Sequence, residues 1–163
     1  MSNRQTGRDS PIVVRPIAGA IGAEIHGVDV SQDLDAATIG DIRQALLDHC
    51  VIFFRDQTLD IERHKAFTRR FGEIFIHPNY KGTQADPEIV EITRLPGDTK
   101  IVGEEWHTDT TMVEAPPMGA ILYAKEVPPY GGDTVSCQST SSRTLVERCA
   151  FMLACGPATL RSL

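Results

Sequence analysis

No stretch of this chain is apolar for long enough to cross a membrane; every apolar run falls well short of the roughly 18–20 residues a spanning helix needs. The opening residues, Met1 to Ser10, are polar and lack the apolar core of a secretory signal. Residues 1–11 are therefore expected to form a loose tail, and the expected location is the cytoplasm. Basic runs are also missing. Lys and Arg total 16 against 22 Asp and Glu, a formal net charge of −6, and the cations are scattered. That distribution argues against a nucleic-acid or anionic-membrane surface. It leaves room for a small anionic substrate, which one or two local cations can hold. The four cysteines, Cys50, Cys137, Cys149 and Cys155, contain no CxxC pair, so packed thiols are expected rather than a disulfide framework or a metal knuckle. No internal repeat or low-complexity linker divides the 163 residues, a length that supports one domain with a core.

What is present reads as alternating short elements. Ile12-Val13-Val14 and Ala23-Glu24-Ile25 read as strands on either side of the turn Ala18 to Gly22. Ser31 and Asp33 are N-cap candidates for a helix over 35–49, with Ile39, Ile42, Leu46 and Leu47 at helical spacing. Val51 to Phe54 is a buried-strand run. A second helix is expected over 60–71, with Ile61, Phe67 and Phe71 on one face and Gly72 as its stop. Glu88 to Leu95 and Gly119 to Ala124 are expected strands, Pro128-Pro129 ends the second of them, and Gly131-Gly132 is a turn. Two helices early and strands afterwards give an α+β chain whose strands need further partners to close a sheet or barrel.

The chemistry is carried by Trp106-His107-Thr108-Asp109. In a strand, residues i and i+2 share a side, so His107 and Asp109 would present an imidazole and a carboxylate to one metal ion. These are two corners of a facial triad suited to Fe(II). His-x-Asp alone is weak, and a surface or capping pair is the ordinary reading. A zinc hydrolase would need further His or Cys ligands at fixed spacing, which are not seen.

Context changes the weight of that pair. Glu105 to Thr111 is followed by Glu114 to Leu122, containing Pro116-Pro117-Met118-Gly119. Then come Ala124 to Pro129 and Gly131-Gly132-Asp133-Thr134. Together with Val51 to Gln57 and Arg70-Phe71-Gly72-Glu73, this ordered run resembles the TauD/TfdA family of Fe(II)- and 2-oxoglutarate-dependent dioxygenases. The resemblance covers roughly residues 12–135.

The resemblance implies an incomplete double-stranded β-helix, a jelly-roll or cupin-like core, flanked by N-terminal helices. It implies that His107 and Asp109 are iron ligands, and that Thr134 helps hold the 2-oxoglutarate carboxylate. It implies that His77 contacts a substrate sulfonate and that Tyr80 lines the same pocket. Fe(II) is then the cofactor, 2-oxoglutarate the cosubstrate and O₂ the oxidant, with a homo-oligomer as a further expectation. The implied reaction couples oxidative decarboxylation of 2-oxoglutarate to hydroxylation of a small organic acid, such as taurine, another sulfonate or an alkyl sulfate. Gly103 stands where the taurine enzymes carry an Asn, which weakens taurine itself. The competing readings are a packed or capping histidine for His77 and an ordinary turn threonine for Thr134. Asp133 is read as capping its own Gly-Gly-Asp turn, and His26, His49 and His64 as surface or core residues.

No histidine follows His107, whereas the family's third iron ligand and its 2-oxoglutarate-clamping arginine lie far downstream. The expectation is therefore an N-terminal fragment: a dioxygenase truncated and inactive as it stands, or a non-catalytic remnant with at most weak metal binding. From residue 136 the likeness fades. Codons for Cys137-Gln138-Ser139, shifted by one nucleotide, can encode the family-like Ala-Asn-Gln, so 136–163 is expected to be a divergent, frameshifted tail. The alternative is a genuine tail with a short apolar helix over Leu145 to Leu153.

Overall fold

In a computed structural model, the structure describes residues 10–19, 21–80, 82–84, 86–95, 97–99, 105, 107, 110, 113–126 and 136, and the backbone of 150–155. Among these residues the order is β1 (Val13–Pro16), β2 (Ala23–His26), α1 (Ala36–His49), β3 (Val51–Phe54), α2 (Ile61–Arg69), β4 (Gly119–Ala124) and β5 (Ala150–Cys155). The strands form one sheet in the order β1-β2-β3-β5-β4. The fold is thus mixed α/β with a small sheet, in keeping with the expected mixture of helices and strands.

The N-terminal half is a hairpin followed by a crossover. β1 and β2 pair antiparallel, with Val13 opposite His26. β2 and β3 pair parallel, with Ala23 opposite Ile52. Parallel neighbours need a long return path, and α1 supplies it. Ile39, Ile42, Ala45 and Leu46 face the sheet and are buried, while Leu47 is 40% exposed. The helical spacing of these residues was legible, but its phase turns toward Ala45 and leaves Leu47 at the rim.

The expected caps were displaced. Asp35, read as the first helical residue, is the N-cap of α1, its Oδ1 accepting the Thr38 N–H at 2.7 Å. Ser31 instead donates its own N–H to Asp29 at 2.9 Å, and Asp33 pairs with Arg70 at 3.3 Å. The reason is local. A capping side chain must reach the N–H two or three residues on, and Ala36 as the first helical residue puts Asp35 in that place. α2 begins in the same way, with Asp60 accepting the Arg63 N–H at 2.7 Å. It ends at Arg69, earlier than expected, because the Arg70 and Phe71 N–H groups turn to the carbonyls of Phe67 and Thr68.

Phe54, Phe67 and Phe71 lock β3 to α2. The Phe54 and Phe67 rings meet edge to face with centroids 5.8 Å apart, and Phe67 and Phe71 at 5.2 Å. Ile61, expected on this face, is 37% exposed. At the end of β3 the buried side chain of Gln57 accepts the Val30 N–H at 2.8 Å and donates to the Arg55 carbonyl at 2.8 Å. A buried amide must be satisfied, so this one side chain fixes the loop before α1 against the strand after it.

The expected strand over Glu88 to Leu95 does not form. The segment is irregular, and Ile92 and Leu95 are 63% and 62% exposed. Its apolar residues were out of phase with a two-residue repeat, and the Glu88 side chain is claimed by Arg69. The alternative of an apolar helix over Leu145 to Leu153 also differs from the structure: residues 150–155 form β5, parallel to both β3 and β4. Residues 145–149 lie outside the described residues.

His64 joins α2 to β4. Its Nε2–H donates to the Ile121 carbonyl at 3.2 Å, and its ring lies 6.4 Å from that of Tyr123. Burial pushes its pKa down, against a smaller upward pull from that carbonyl.

Replacing Leu46 by Ala should lower unfolding free energy by about 2–5 kcal/mol, and replacing Leu47 should change it by no more than about 0.5 kcal/mol, read by urea titration. Equal effects would contradict the helix phase. The pH dependence follows from His64. The unfolded ring takes up a proton below its ordinary 6.5, whereas the folded ring resists it. Its contribution is therefore complete above pH 6.5 and is lost as pH falls through 6.5 toward the lower folded value. His64→Gln, which removes the titration and keeps a donor for Ile121, should flatten the stability curve across that interval. The carboxyl groups of Asp86 and Glu88 are held below their ordinary 3.8 and 4.5, chiefly by hydrogen bonds from Lys65 and Arg69 respectively, and titrate in a separate, more acidic window.

Candidate functional site

The candidate residues come from two irregular segments. The first follows α2. His77 lies there, half-buried, between Phe75 and Tyr80. Its ring meets Phe75 at 6.2 Å and Tyr80 at 4.8 Å, both edge to face. Its Nδ1 accepts the backbone N–H groups of Asn79 and Tyr80 at 3.1 and 3.2 Å. An N–H donor requires a lone pair on its partner, so Nδ1 is unprotonated and the neutral ring carries its hydrogen on Nε2. The tautomer is thereby set by the backbone. Tyr80 is 51% exposed and Phe75 39%, so the aromatic tip is open on its outer side.

The ring caps its own turn, as the competing reading of a histidine before a proline has it. Phe75 was not singled out from sequence. The signal that could have found it is the spacing Phe75-x-His77-x-x-Tyr80 in a chain poor in aromatics.

The second segment contains His107. It lies in irregular backbone and is exposed, so the strand expected to carry it is not seen at that residue. The ring Nδ1 is 2.7 Å from the carbonyl oxygen of Glu105. A carbonyl only accepts, so Nδ1–H donates. Metal-binding histidines commonly have this arrangement: one ring nitrogen is anchored on a carbonyl, which fixes tautomer and orientation. Thr110, three residues on, has φ 52°, the left-handed region that residues with a side chain rarely adopt. Asp109 and Thr134 lie outside the described residues, as does Trp106. Among the described residues no group of three His, Cys, Asp or Glu side chains is disposed to hold a metal ion.

His26 makes a 3.2 Å contact to Glu24, which also takes Arg55 at 2.8 Å. Burial works to raise the Glu24 pKa, but the hydrogen bonds and charges of Arg55 and His26 outweigh it and hold the carboxyl low. His26 and His64 thus serve packing and surface pairing, as read from sequence.

The sequence model of the family described as "Taurine catabolism dioxygenase TauD, TfdA family" matches residues 13–148. The chain is 44% identical, over 123 residues, to an alpha-ketoglutarate-dependent sulfate ester dioxygenase from Pseudomonas putida, covering 75% of this chain and 40% of that protein. It is 39% identical to an alkylsulfatase from Acinetobacter baylyi, covering 74% of this chain and 38% of that one. The chain thus spans about two fifths of the length of these curated relatives. Among solved structures, a taurine dioxygenase from Burkholderia xenovorans is 44% identical, with a TM-score of 0.44 over 47% of this chain and 28% of that one. With the family's sequence model matching from β1 to beyond β4, this chain belongs to the TauD/TfdA family of α-ketoglutarate-dependent dioxygenases.

Proposed function

We propose that this chain supplies the substrate-binding loop and two iron ligands of an Fe(II)- and 2-oxoglutarate-dependent dioxygenase acting on small sulfate esters or sulfonates. The observation that carries the reading is the ring state of His77. A neutral imidazole with Nδ1 committed to two backbone N–H groups has one remaining polar function, an Nε2–H donor. Sulfate and sulfonate oxygens are acceptors only, so such a ring complements them and offers no lone pair to compete for metal. The names of the relatives favour a sulfate ester over taurine, as does Gly103.

The donor chemistry of the second segment fits ferrous iron. An imidazole Nε2 from His107 and a carboxylate from Asp109 are hard-to-borderline donors of the kind that hold Fe(II) in facial triads. Bound Fe(II), with 2-oxoglutarate and O₂, supplies the oxidising equivalent that puts one oxygen atom on a substrate carbon and releases succinate and CO₂. The chain's residues do the rest. His107, anchored on the Glu105 carbonyl, presents a ring of fixed tautomer. Thr134 hydrogen-bonds a 2-oxoglutarate carboxylate. His77 donates to the substrate's sulfur-bound oxygens, and Tyr80 and Phe75 wall the adjoining carbon chain, which aims the C–H bond. Hydroxylation at the carbon bearing the ester oxygen gives a hemiacetal-like product, which collapses to an aldehyde and free sulfate. The double-stranded β-helix implied by family resemblance is the proposed scaffold. Residues 136–163 are proposed to be a frameshifted continuation, which the nucleotide sequence beyond codon 135 tests directly: a family-like reading in the shifted frame supports it, and none refutes it.

Joined to a family-like downstream segment that carries the third ligand and the arginine, the protein assayed with Fe(II), ascorbate, 2-oxoglutarate and a panel of alkyl sulfates and sulfonates should form succinate in step with sulfate or sulfite, whereas residues 1–163 alone should not. His107→Ala and Asp109→Ala should each abolish it, and undiminished turnover in either would refute the assigned ligands. His77→Ala should raise KM for the sulfate ester by about 10- to 100-fold, the value of one hydrogen bond to a charged group, and leave KM for 2-oxoglutarate unchanged.

A further inference from the structure

The loop that carries His77 leaves α2 at Arg70 and returns to the same helix at Asp86. Its return is held by charges. Lys65 Nζ lies 2.6 Å from Asp86 Oδ2, 3.2 Å from Glu88 Oε2 and 3.3 Å from Glu62 Oε1. Arg69 Nη2 reaches both Glu88 oxygens, at 2.9 and 2.7 Å. The Lys65 and Asp86 side chains are only 11% and 12% exposed, so this pair is largely desolvated, unlike the rim pairs elsewhere on the surface. The hydrogen bonds it donates to Asp86 and Glu88 hold the Lys65 ammonium well above the usual lysine range.

The returning strand of the loop is stiff for other reasons too. The other Asp86 oxygen accepts the Glu88 N–H at 3.0 Å, and the Thr83 N–H donates to the Ile89 carbonyl at 2.9 Å. Gly82 passes so close to Pro87 that an added Cβ would lie 2.5 Å from its carbonyl oxygen. Among the described residues the tip has no comparable ion pairs to α2. Ile76 and Tyr80 are 56% and 51% exposed, and the internal order of the tip comes from three rings in edge contact and two backbone N–H groups on Nδ1.

We propose that Lys65 is a positioning residue: its ion pairs, backed by Arg69, clasp the loop's returning end to α2 and so hold His77 in the tautomer and orientation that donate from Nε2. What the loop binds rests on the function proposed above; the clasp does not. Releasing one end of a closed loop returns conformational entropy to it. The weakest internal contacts, the two hydrogen bonds to Nδ1, are then the first to open. Nδ1 and Nε2 would exchange their hydrogen, and the donor would no longer point one way.

The test reads the ring directly. The full chain is labelled with ¹⁵N-histidine, and long-range ¹H–¹⁵N spectra report each ring's protonated nitrogen. His77 should show one pyrrole-like nitrogen, Nε2, and one pyridine-like nitrogen, Nδ1. In Lys65→Met, which keeps the stem and removes the charge, the two should average, and Lys65→Arg should restore the separation. His64, on the same helix, is the control and should keep its pattern throughout. An unchanged His77 pattern in Lys65→Met overturns the proposal, and so does loss of order at His77 and His64 together, which marks a merely structural lysine. Should Lys65→Met fail to fold, Arg69→Met combined with Glu88→Gln opens the outer half of the clasp under the same criteria. Titration with hexyl sulfate adds a second arm: Kd should rise roughly tenfold in Lys65→Met, the result of about 1.4 kcal/mol. If wild-type chain ignores hexyl sulfate while the His77 spectra respond as expected, the clasp stands and the sulfate-ester reading fails.

Discussion

Phe54 and Phe67 meet edge to face inside the molecule, and most of what positions the loop bearing His77 passes through that contact. Phe54 is the last residue of β3, fully buried, and Phe67 is the one buried residue of α2. α2 is short and otherwise polar, so its own helical propensity would not hold it in water. Its place on the sheet depends on Phe67 finding the β3 ring, with Phe71 packed behind Phe67, and on His64 reaching across to β4. The last turns of α2 carry Lys65 and Arg69, which hold the loop bearing His77 and Tyr80. Packing between two rings is thereby converted, through one helix, into the orientation of an imidazole at the surface.

The polar interactions follow a division of labour. Where burial is deep, as at Gln57, every donor and acceptor is matched by backbone, and among the described residues no buried side-chain nitrogen or oxygen lacks a partner. Where burial is partial, charges pair, as in Lys65 with Asp86 and Arg55 with Glu24. The two candidate histidines differ from both patterns. Each uses Nδ1 on local backbone, one as acceptor and one as donor.

Elements with strong periodicity were legible in sequence because period is a property of the side chains themselves. Ile39, Ile42 and Leu46 announce α1, and Val51 to Phe54 announces β3, whatever surrounds them. Helix starts were not, because Ser31, Asp33 and Asp35 are all competent caps and only the backbone decides which one is used. Glu88 to Leu95 has the composition of a strand without a partner to pair with, and composition does not reveal partners. The site was legible in the same uneven way. The motif around His107 named the family, whereas its irregular backbone, the anchoring Glu105 carbonyl and the clasp below His77 depend on contacts that no spacing encodes. Phe75 and Lys65 were overlooked for that reason.

The sheet order has a bearing on synthesis. Val51 of β3 pairs with Phe151 of β5, so a strand in the middle of the sheet waits 100 residues for its neighbour (151 − 51). At the usual pace of translation that delay is about 5–20 s. Throughout it the nascent chain displays a short, apolar, hydrogen-bond-hungry edge along Val51 to Phe54, the kind of edge that captures strangers. A holdase that covers emerging strands would therefore act on this chain early, and the yield of folded protein should depend on chaperone supply during synthesis.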